Sequence, residues 1–478
     1  NKAVISGDEL ARVREHFSVE NKAAKFGRYR GRFMPFRKYI ITPKGKFDIG
    51  MYFEIRKFLK QTYKDMNMTR TESFALKAFP SIPVKYEITK LNLELRDYQS
   101  AIVTACSQVG RGVVVLATAG GKTLTMASLI QRIYDQQNLK RKFSCLVLVP
   151  DIGLVNQTSA DFREYGVSFK TAKWSGGNDL DLTANVIVAN MGILQSKKSD
   201  TTWLQFIDLL IVDEVHKLRA GNKINKILDQ IETPNRFGFT GTMPEELEDQ
   251  WNIIGKIGPV LYEKNSFQLR EEKHIAKAKV LLMKLHYNDA PKTSFNSANF
   301  NPSDKYRQEL DWLKSNNFRN EVITTVCNNM KNNSLLLVDR IEHGQLLYNL
   351  LHTKLLDKKV YFIRGDVAVD ERERIRKLME TKHNVICVAI SKIFSTGINI
   401  KNLHYIMFCS GGKAKVKIVQ SIGRGLRKHE SKDKLIIIDI ADQLHYGKQH
   451  MAKRIKLYKE ENFNYDYQDI KEKEKEKG

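Results

Sequence analysis

Short, continuous and almost wholly apolar runs recur in two series along this chain, and each series alternates with stretches of helical character. Residues 113–117, 145–149, 186–189, 209–212 and 237–240 make the first series; 335–338, 360–363, 385–389, 405–409 and 435–438 make the second. Apolar alternation suits a strand with one wet face, whereas a continuous apolar run suits a strand buried on both faces. The pattern therefore predicts an α/β fold with two parallel-sheet units joined end to end. They are expected over residues 91–268 and 269–450. A length of 478 residues leaves room for a third, smaller domain at roughly 150 residues each.

That domain is expected at residues 1–90, as a small basic α/β accessory module. Thirteen Lys/Arg and only two acids, Asp48 and Glu54, lie between Lys22 and Lys64. Aromatics such as Phe26, Tyr29, Phe33, Phe36 and Tyr39 are interleaved with them, some to form a core. Strand-like pieces at 37–42 and 46–52 flank Pro43-Lys44-Gly45, and a helix is predicted over 54–66. Arg30, Arg32 and Lys38 are candidates for DNA phosphate contact on the basic face. The polar stretch 288–320 reads as an insertion. Residues 451–478 read as a charged C-terminal helix or tail, with a solvated, frayed Lys-Glu repeat at 471–477.

The net charge of +25 favours a polyanionic partner, because Lys and Arg that neutralise phosphates release counterions. Cys106, Cys145, Cys327, Cys387 and Cys409 form no CxxC pair, which argues against a disulfide framework or zinc site and fits a reducing cytoplasm. No apolar stretch approaches the ~20 residues needed to span a bilayer.

Chemistry concentrates where apolar runs end. After 113–116 comes Ala117-Thr118-Ala119-Gly120-Gly121-Lys122-Thr123, then an apolar helical stretch. A glycine turn between strand and helix points backbone N–H groups and the positive helix end at phosphates, Lys122 reaches the β- and γ-phosphates, and the Thr123 hydroxyl suits Mg²⁺. Leu116 stands where the general P-loop pattern has Gly, so alone the stretch is also compatible with an ordinary strand-to-helix turn. A second run ends in Asp213-Glu214-Val215-His216. Strand C-termini face the ligand crevice of a parallel sheet. Asp213 is thus placed to hold Mg²⁺ through water and Glu214 to polarise an attacking water, with His216 linking the pair to neighbouring loops. Thr240-Gly241-Thr242 is a hydroxyl-bearing loop able to hydrogen-bond that pair. In the second unit, Arg424 and Arg427 share a helix face, and an arginine brought to a γ-phosphate speeds phosphoryl transfer by ~10³–10⁵.

In combination these segments resemble the superfamily 2 helicases. Lys122 and Thr123 match motif I, Asp213-Glu214-Val215-His216 matches a DExH motif II, Thr240-Gly241-Thr242 resembles motif III, and Gln420 with Gly423, Arg424 and Arg427 matches motif VI. Arg96 and Gln99 sit in a segment resembling the adenine-reading one. Val147 through Gln157 resembles motif Ia, with Asp151 where Thr is frequent. Leu337-Val338-Asp339-Arg340 resembles motif IV, and Ser395-Thr396-Gly397-Ile398-Asn399 resembles motif V. Within the superfamily the chain is similar to phage UvsW-type branched-DNA helicases such as those of T5-like phages. That likeness lies in residues 394–404, in Gln420 through Lys428 and in a basic domain ahead of the motor.

The resemblance implies two tandem RecA-like domains with ATP and Mg²⁺ held between them. Thr118, Ala119, Gly120, Gly121, Lys122 and Thr123 would bind the nucleotide together with Arg96, Gln99, Gly397 and Asn399; Lys122, Asp213, Glu214, His216, Gln420, Arg424 and Arg427 would serve hydrolysis. DNA contacts are expected from Asn156, Gln157, Lys173, Arg340, Ser395 and Thr396, mainly to phosphates. The implied activity is ATP-dependent movement on forked or branched DNA, by a monomer or an oligomer, in a host cell's cytoplasm and away from membranes. An RNA or RNA–DNA hybrid helicase, a restriction-nuclease motor and a non-motor ATP-switched DNA-binding module remain open alternatives.

Overall fold

The computed structural model describes residues 1–21, 24, 35–63, 79, 81, 90–136, 141–196, 199–289, 302–365, 367–391, 400–410, 422–423, 425–426, 429–432 and 434–473. They fall into two compact units: residues 1–117 with 121–264, and residues 265–478, with which the short stretch 118–120 is grouped.

The first unit opens with four short strands, β1 (Lys2–Val4), β2 (Ser18–Glu20), β3 (Arg37–Tyr39) and β4 (Lys46–Asp48). Both strand-like pieces around Pro43 are shorter than the sequence suggests. They pair elsewhere, β4 with β1 and β3 with β2, each antiparallel. Gly45 is obligatory between them: its φ is +73°, and a Cβ there would lie 1.9 Å from the Ile5 carbonyl oxygen. A helix follows at Tyr52–Thr62. Its buried residues Ile55 and Leu59 join Val13, Phe17, Ile41, Phe47 and Met51 in a core completed by Ile254, from the helix Leu247–Lys256 of the adjoining sheet domain. Phe17 also meets Trp251 edge-on at 5.5 Å. The basic segment therefore shares its core with the sheet that follows it, a contact the composition of residues 1–90 cannot reveal.

That sheet is seven-stranded: β5 (Arg111–Leu116), β6 (Cys145–Val149), β7 (Thr171–Trp174), β8 (Val186–Asn190), β9 (Leu209–Asp213), β10 (Arg236–Thr240) and β11 (Val260–Lys264). Its order is β11-β5-β10-β9-β6-β8-β7, and every pairing is parallel. The two strands absent from the apolar series, β7 and β11, are its edges, where one side meets water and the apolar run is broken.

The second unit repeats the plan with β12 (Lys277–His286), β13 (Ser334–Val338), β14 (Lys359–Ile363), β15 (Val385–Ile390), β16 (Tyr405–Phe408), β17 (Lys434–Asp442) and β18 (Asn464–Lys471). The order is β14-β15-β13-β16-β17-β12-β18, again parallel throughout. Two tandem RecA-like α/β domains are thus the fold.

Two stretches are more ordered in the fold than their composition suggests. Part of the polar stretch 288–320 is helical, as Pro302–Ser315 and the start of Asn317–Asn329. Within it Arg319 is buried, pairing with Asp442 at 2.8 Å and donating to the Cys409 carbonyl at 2.6 Å. The charged C-terminal region is also built into the fold. The helix His445–Glu460 sends Arg454 to grip Asp439 on β17 at 2.7 and 2.8 Å, and β18 adds an edge to the sheet beside β12. Of the repeat expected to fray, residues 474–477 lie outside the described part.

All five cysteines are free and buried, and burial pushes the thiols of Cys387 and Cys409 up to about 12. Among the described residues no helix is long and apolar enough to cross a membrane.

Candidate nucleotide site and its relatives

Strand order brings the first unit's chemical segments to one edge. β10 lies between β5 and β9, with Thr240 in register with Val115 and Phe239 with Asp213. The glycine turn after β5, Asp213 at the end of β9 and Thr240 at the end of β10 therefore share the C-terminal rim where parallel sheets bind ligands.

The turn runs into the helix Lys122–Asp135 through two left-handed residues, Ala119 at φ +69° and Gly121 at φ +82°. Gly121 faces Gln99. A Cβ on Gly121 would lie 2.3 Å from Gln99 Nε2, so any side chain there must push the amide end of Gln99 aside. Gln99 is itself buried and held, its Oε1 accepting from the Arg96 N–H at 2.9 Å. Arg96 Nη1 donates to the Tyr98 hydroxyl at 3.0 Å.

Across the rim, Glu214 is also left-handed, at φ +49°, and its N–H donates to Asp213 Oδ1 at 2.9 Å. This sharp turn directs the Glu214 carboxylate to two partners. Oε1 lies 3.9 Å from Lys122 Nζ, and Oε2 lies 3.3 Å from His216 Nδ1. His216 Nδ1 also meets Thr240 Oγ1 at 2.9 Å, while Thr240 Oγ1 donates to the Thr242 carbonyl at 2.8 Å. A carbonyl only accepts, so the hydroxyl proton is directed there and His216 must carry its own proton on Nδ1. Lys122, Glu214, His216 and Thr240 thus form one connected chain, joining three of the motif-like segments.

This rim fits a nucleotide and a hard cation. The glycine cradle and helix N-terminus suit phosphate oxygens. Lys122 supplies positive charge, and the oxygen-only set of Thr123 and Asp213 suits Mg²⁺ rather than a softer metal.

Other candidates are placed as follows. Asp151 caps the helix Ile152–Glu164 by accepting from the Leu154 N–H at 3.1 Å, which accounts for an acid at that position. Asn156 and Lys173 are together, 3.2 Å from Oδ1 to Nζ, and Gln157 Oε1 is buried with no hydrogen-bond partner among the described residues. Two cations expected to face DNA are ion-paired: Lys38 with Glu248 at 2.9 Å and Arg340 with Asp311 at 2.7 Å. Gln420, Arg424, Arg427, Ser395, Thr396, Gly397, Asn399, Arg30 and Arg32 lie outside the described residues. Sequence reasoning missed Lys432, which is buried; in the context Ser431-Lys432-Asp433-Lys434 a lysine reads as solvated, and no local signal marks it.

Residues 92–245 match the family described as "Type III restriction enzyme, res subunit", and residues 314–429 match "Helicase conserved C-terminal domain". With the fold and rim described above, the chain belongs to the superfamily 2 helicases, ATP-dependent enzymes that engage nucleic acid. Within that class it resembles the ATP-dependent DNA helicase uvsW of Enterobacteria phage T4. The two are 26% identical over 95% of this chain and 94% of that protein. The DNA 3'-5' translocase XPB2 of Sulfurisphaera tokodaii is 25% identical over 74% of this chain and 83% of its own length. Among solved structures, the ATP-dependent Type ISP restriction-modification enzyme LlaBIII bound to DNA shares the fold. It has a TM-score of 0.60 and 14% identity, covering 81% of this chain and 32% of that one.

Proposed function

We propose that this protein is a DNA-stimulated ATPase that moves on branched DNA, remodelling forks and Holliday junctions in phage recombination, replication and repair. The observation that carries this reading is the extent of the likeness to the T4 helicase, which takes in the basic N-terminal segment as well as the motor. The net charge of +25 supports a polyanionic track gripped through phosphates.

In this reading Gln99 and Arg96 select adenine. Lys122 and the turn 118–121 hold the phosphates, Thr123 and Asp213 hold Mg²⁺, and Glu214 orients the attacking water with His216 behind it. Mg²⁺, when bound, neutralises charge on the phosphate oxygens. Gln420, Arg424 and Arg427 from the second unit support the γ-phosphate, with Gly397 and Asn399 nearby in function. Asn156, Gln157, Lys173, Arg340, Ser395 and Thr396 track one strand, and Arg30, Arg32 and Lys38 add affinity for the branch. Lys38 and Arg340 would exchange a carboxylate for a phosphate on binding. A monomer in the host cytoplasm suffices for all these roles.

The test is ATP-dependent strand separation by the full chain on DNA forks, Holliday junctions, displacement loops, RNA–DNA hybrids, RNA forks and plain duplex. Forks and junctions should be processed fastest, and Lys122→Ala should abolish turnover and unwinding together. Preference for RNA forks would instead mark an RNA helicase, strand cleavage a nuclease motor, and binding without displacement an ATP switch. Because Ile254 completes the N-terminal core, the role of the basic segment is better tested by Arg30→Ala with Arg32→Ala than by truncation.

A further inference from the structure

Lys432 is 6% exposed, an unusual position for an ammonium group. It lines a cavity of about 520 Å³ bordered by Arg270, Lys273, Lys277 and His429 against a single acid, Glu430. Such surroundings oppose a buried cation. Among the groups that hold it are two backbone carbonyls far apart in sequence: Nζ donates to Lys401 O at 2.9 Å and to Gly425 O at 2.7 Å. Lys401 is the second residue after the segment that resembles motif V. Gly425, a helical residue, lies between Arg424 and Arg427 in the segment that resembles motif VI.

The same junction is braced from both sides. Ser431 Oγ donates to Asn402 Oδ1 at 2.9 Å, and the Asn402 amide donates to the Met379 carbonyl at 3.2 Å. The Lys401 N–H donates to Glu380 Oε1 at 2.7 Å. On the motif VI side, the Leu426 carbonyl accepts from the Ala276 N–H at 2.7 Å, at the start of β12. One exit is thus tied to the helix Val369–Thr381 and the other to the sheet, and Lys432 spans them.

We propose that Lys432 is a positioning residue, a strut that locks the exit of the motif V-like segment to the motif VI-like segment. Nucleic-acid contacts on one and nucleotide contacts on the other then shift as a single body. The inference rests on the helicase reading of those segments given above. An apolar residue would fill the space without the cost of burying charge, but it would leave both carbonyls without this shared donor.

The experiment compares Lys432→Met and Lys432→Arg with wild type in the full chain, reading ATP turnover at saturating forked DNA, KM for ATP, half-saturating DNA and the melting temperature. Loss of a coupling of ordinary size should lower DNA-stimulated kcat about tenfold in Lys432→Met, with KM for ATP and half-saturating DNA within about twofold and the melting temperature lowered by about 2–8 °C, since two carbonyls lose their shared donor. Lys432→Arg, which keeps charge and donors, should recover most of the stimulation. Unchanged stimulation in Lys432→Met would overturn the proposal, as would a fall in every parameter together with the melting temperature. Should Lys432→Met not fold, Ser431→Ala loosens the same strut from its neighbour and must also reduce stimulated kcat, or the proposal fails. If wild type shows no DNA stimulation the helicase reading itself is wrong, whereas stimulated wild type beside an equally stimulated variant removes only the strut.

Discussion

Gln99 stands so close to Gly121 that a methyl group added there must displace its amide: the Cβ would lie 2.3 Å from Gln99 Nε2, the far end of that side chain. Gly121 also has φ +82°, a conformation that costs an L-residue about 1–2 kcal/mol. Gly121→Ala is therefore penalised twice, once in the backbone and once by pushing Gln99 off the Arg96 N–H. The glycine turn and the Arg96–Gln99 segment should loosen together. Nucleotide titration should show KM for ATP raised about tenfold or more, a 1.4 kcal/mol effect. The melting temperature should fall by about 2–4 °C per kcal/mol lost. An alanine variant with wild-type KM would show that this contact does not shape the site.

Thr240→Val tests the chain from Lys122 through Glu214 and His216. Valine keeps the volume but removes the oxygen that accepts from His216 Nδ1 and donates to Thr242. Stability should drop by about 1–2 kcal/mol, the usual cost of stranding buried polar partners. DNA-stimulated ATP turnover should fall further than ATP affinity, while Thr240→Ser retains both. Steady-state kinetics at saturating DNA, paired with urea unfolding, separate the two effects.

How much of this was readable in advance follows from burial and distance along the chain. The strand ending in Asp213 was legible because both its faces are dry, so Leu209–Asp213 carries no polar residue before its functional end. The edge strand Asn464–Lys471 was not, because its exposed residues read Asn-Tyr-Asp-Tyr-Gln-Asp-Ile-Lys, much as a solvated tail would. Lys122 and Glu214 were legible as chemistry next to structure breakers. Their meeting depends on β10 lying between β5 and β9, and strand order is not a local property. The ion pairs of Lys38 with Glu248, 210 positions away, and of Arg340 with Asp311, 29 away, were invisible for the same reason.

The grip of Arg454 on Asp439 predicts that the C-terminal helix is indispensable to the second unit. Both groups are at most 2% exposed, and Asp439 Oδ2 also accepts from the Tyr458 hydroxyl at 2.8 Å. Arg454→Met leaves a buried carboxylate without its cation and should cost about 3–5 kcal/mol by urea denaturation. Adding Asp439→Leu removes the stranded charge and should restore part of that loss. If the single variant unfolds at the wild-type urea concentration, the pair contributes nothing to the fold.

His343 predicts a pH dependence of stability in the second unit. It is buried, and burial together with the nearby Arg319 and Lys314 pulls its pKa down from 6.5 to about 3. Arg319 Nη1 approaches its Nε2 at 3.5 Å, consistent with a neutral ring accepting there. Between pH 6.5 and 3 the unfolded chain takes up a proton that the folded chain refuses, so acid favours unfolding. The stability that depends on neutral His343 is complete above pH 6.5 and is lost as pH falls toward 3, at up to about 1.4 kcal/mol per pH unit. Urea unfolding of wild type and His343→Gln at pH 7.5, 6.5 and 5.0 isolates this contribution from that of the carboxylates, which both proteins share. Wild type should lose about 1.6 kcal/mol more than the variant between pH 6.5 and 5.0. Parallel profiles would mean that His343 takes up its proton inside the fold.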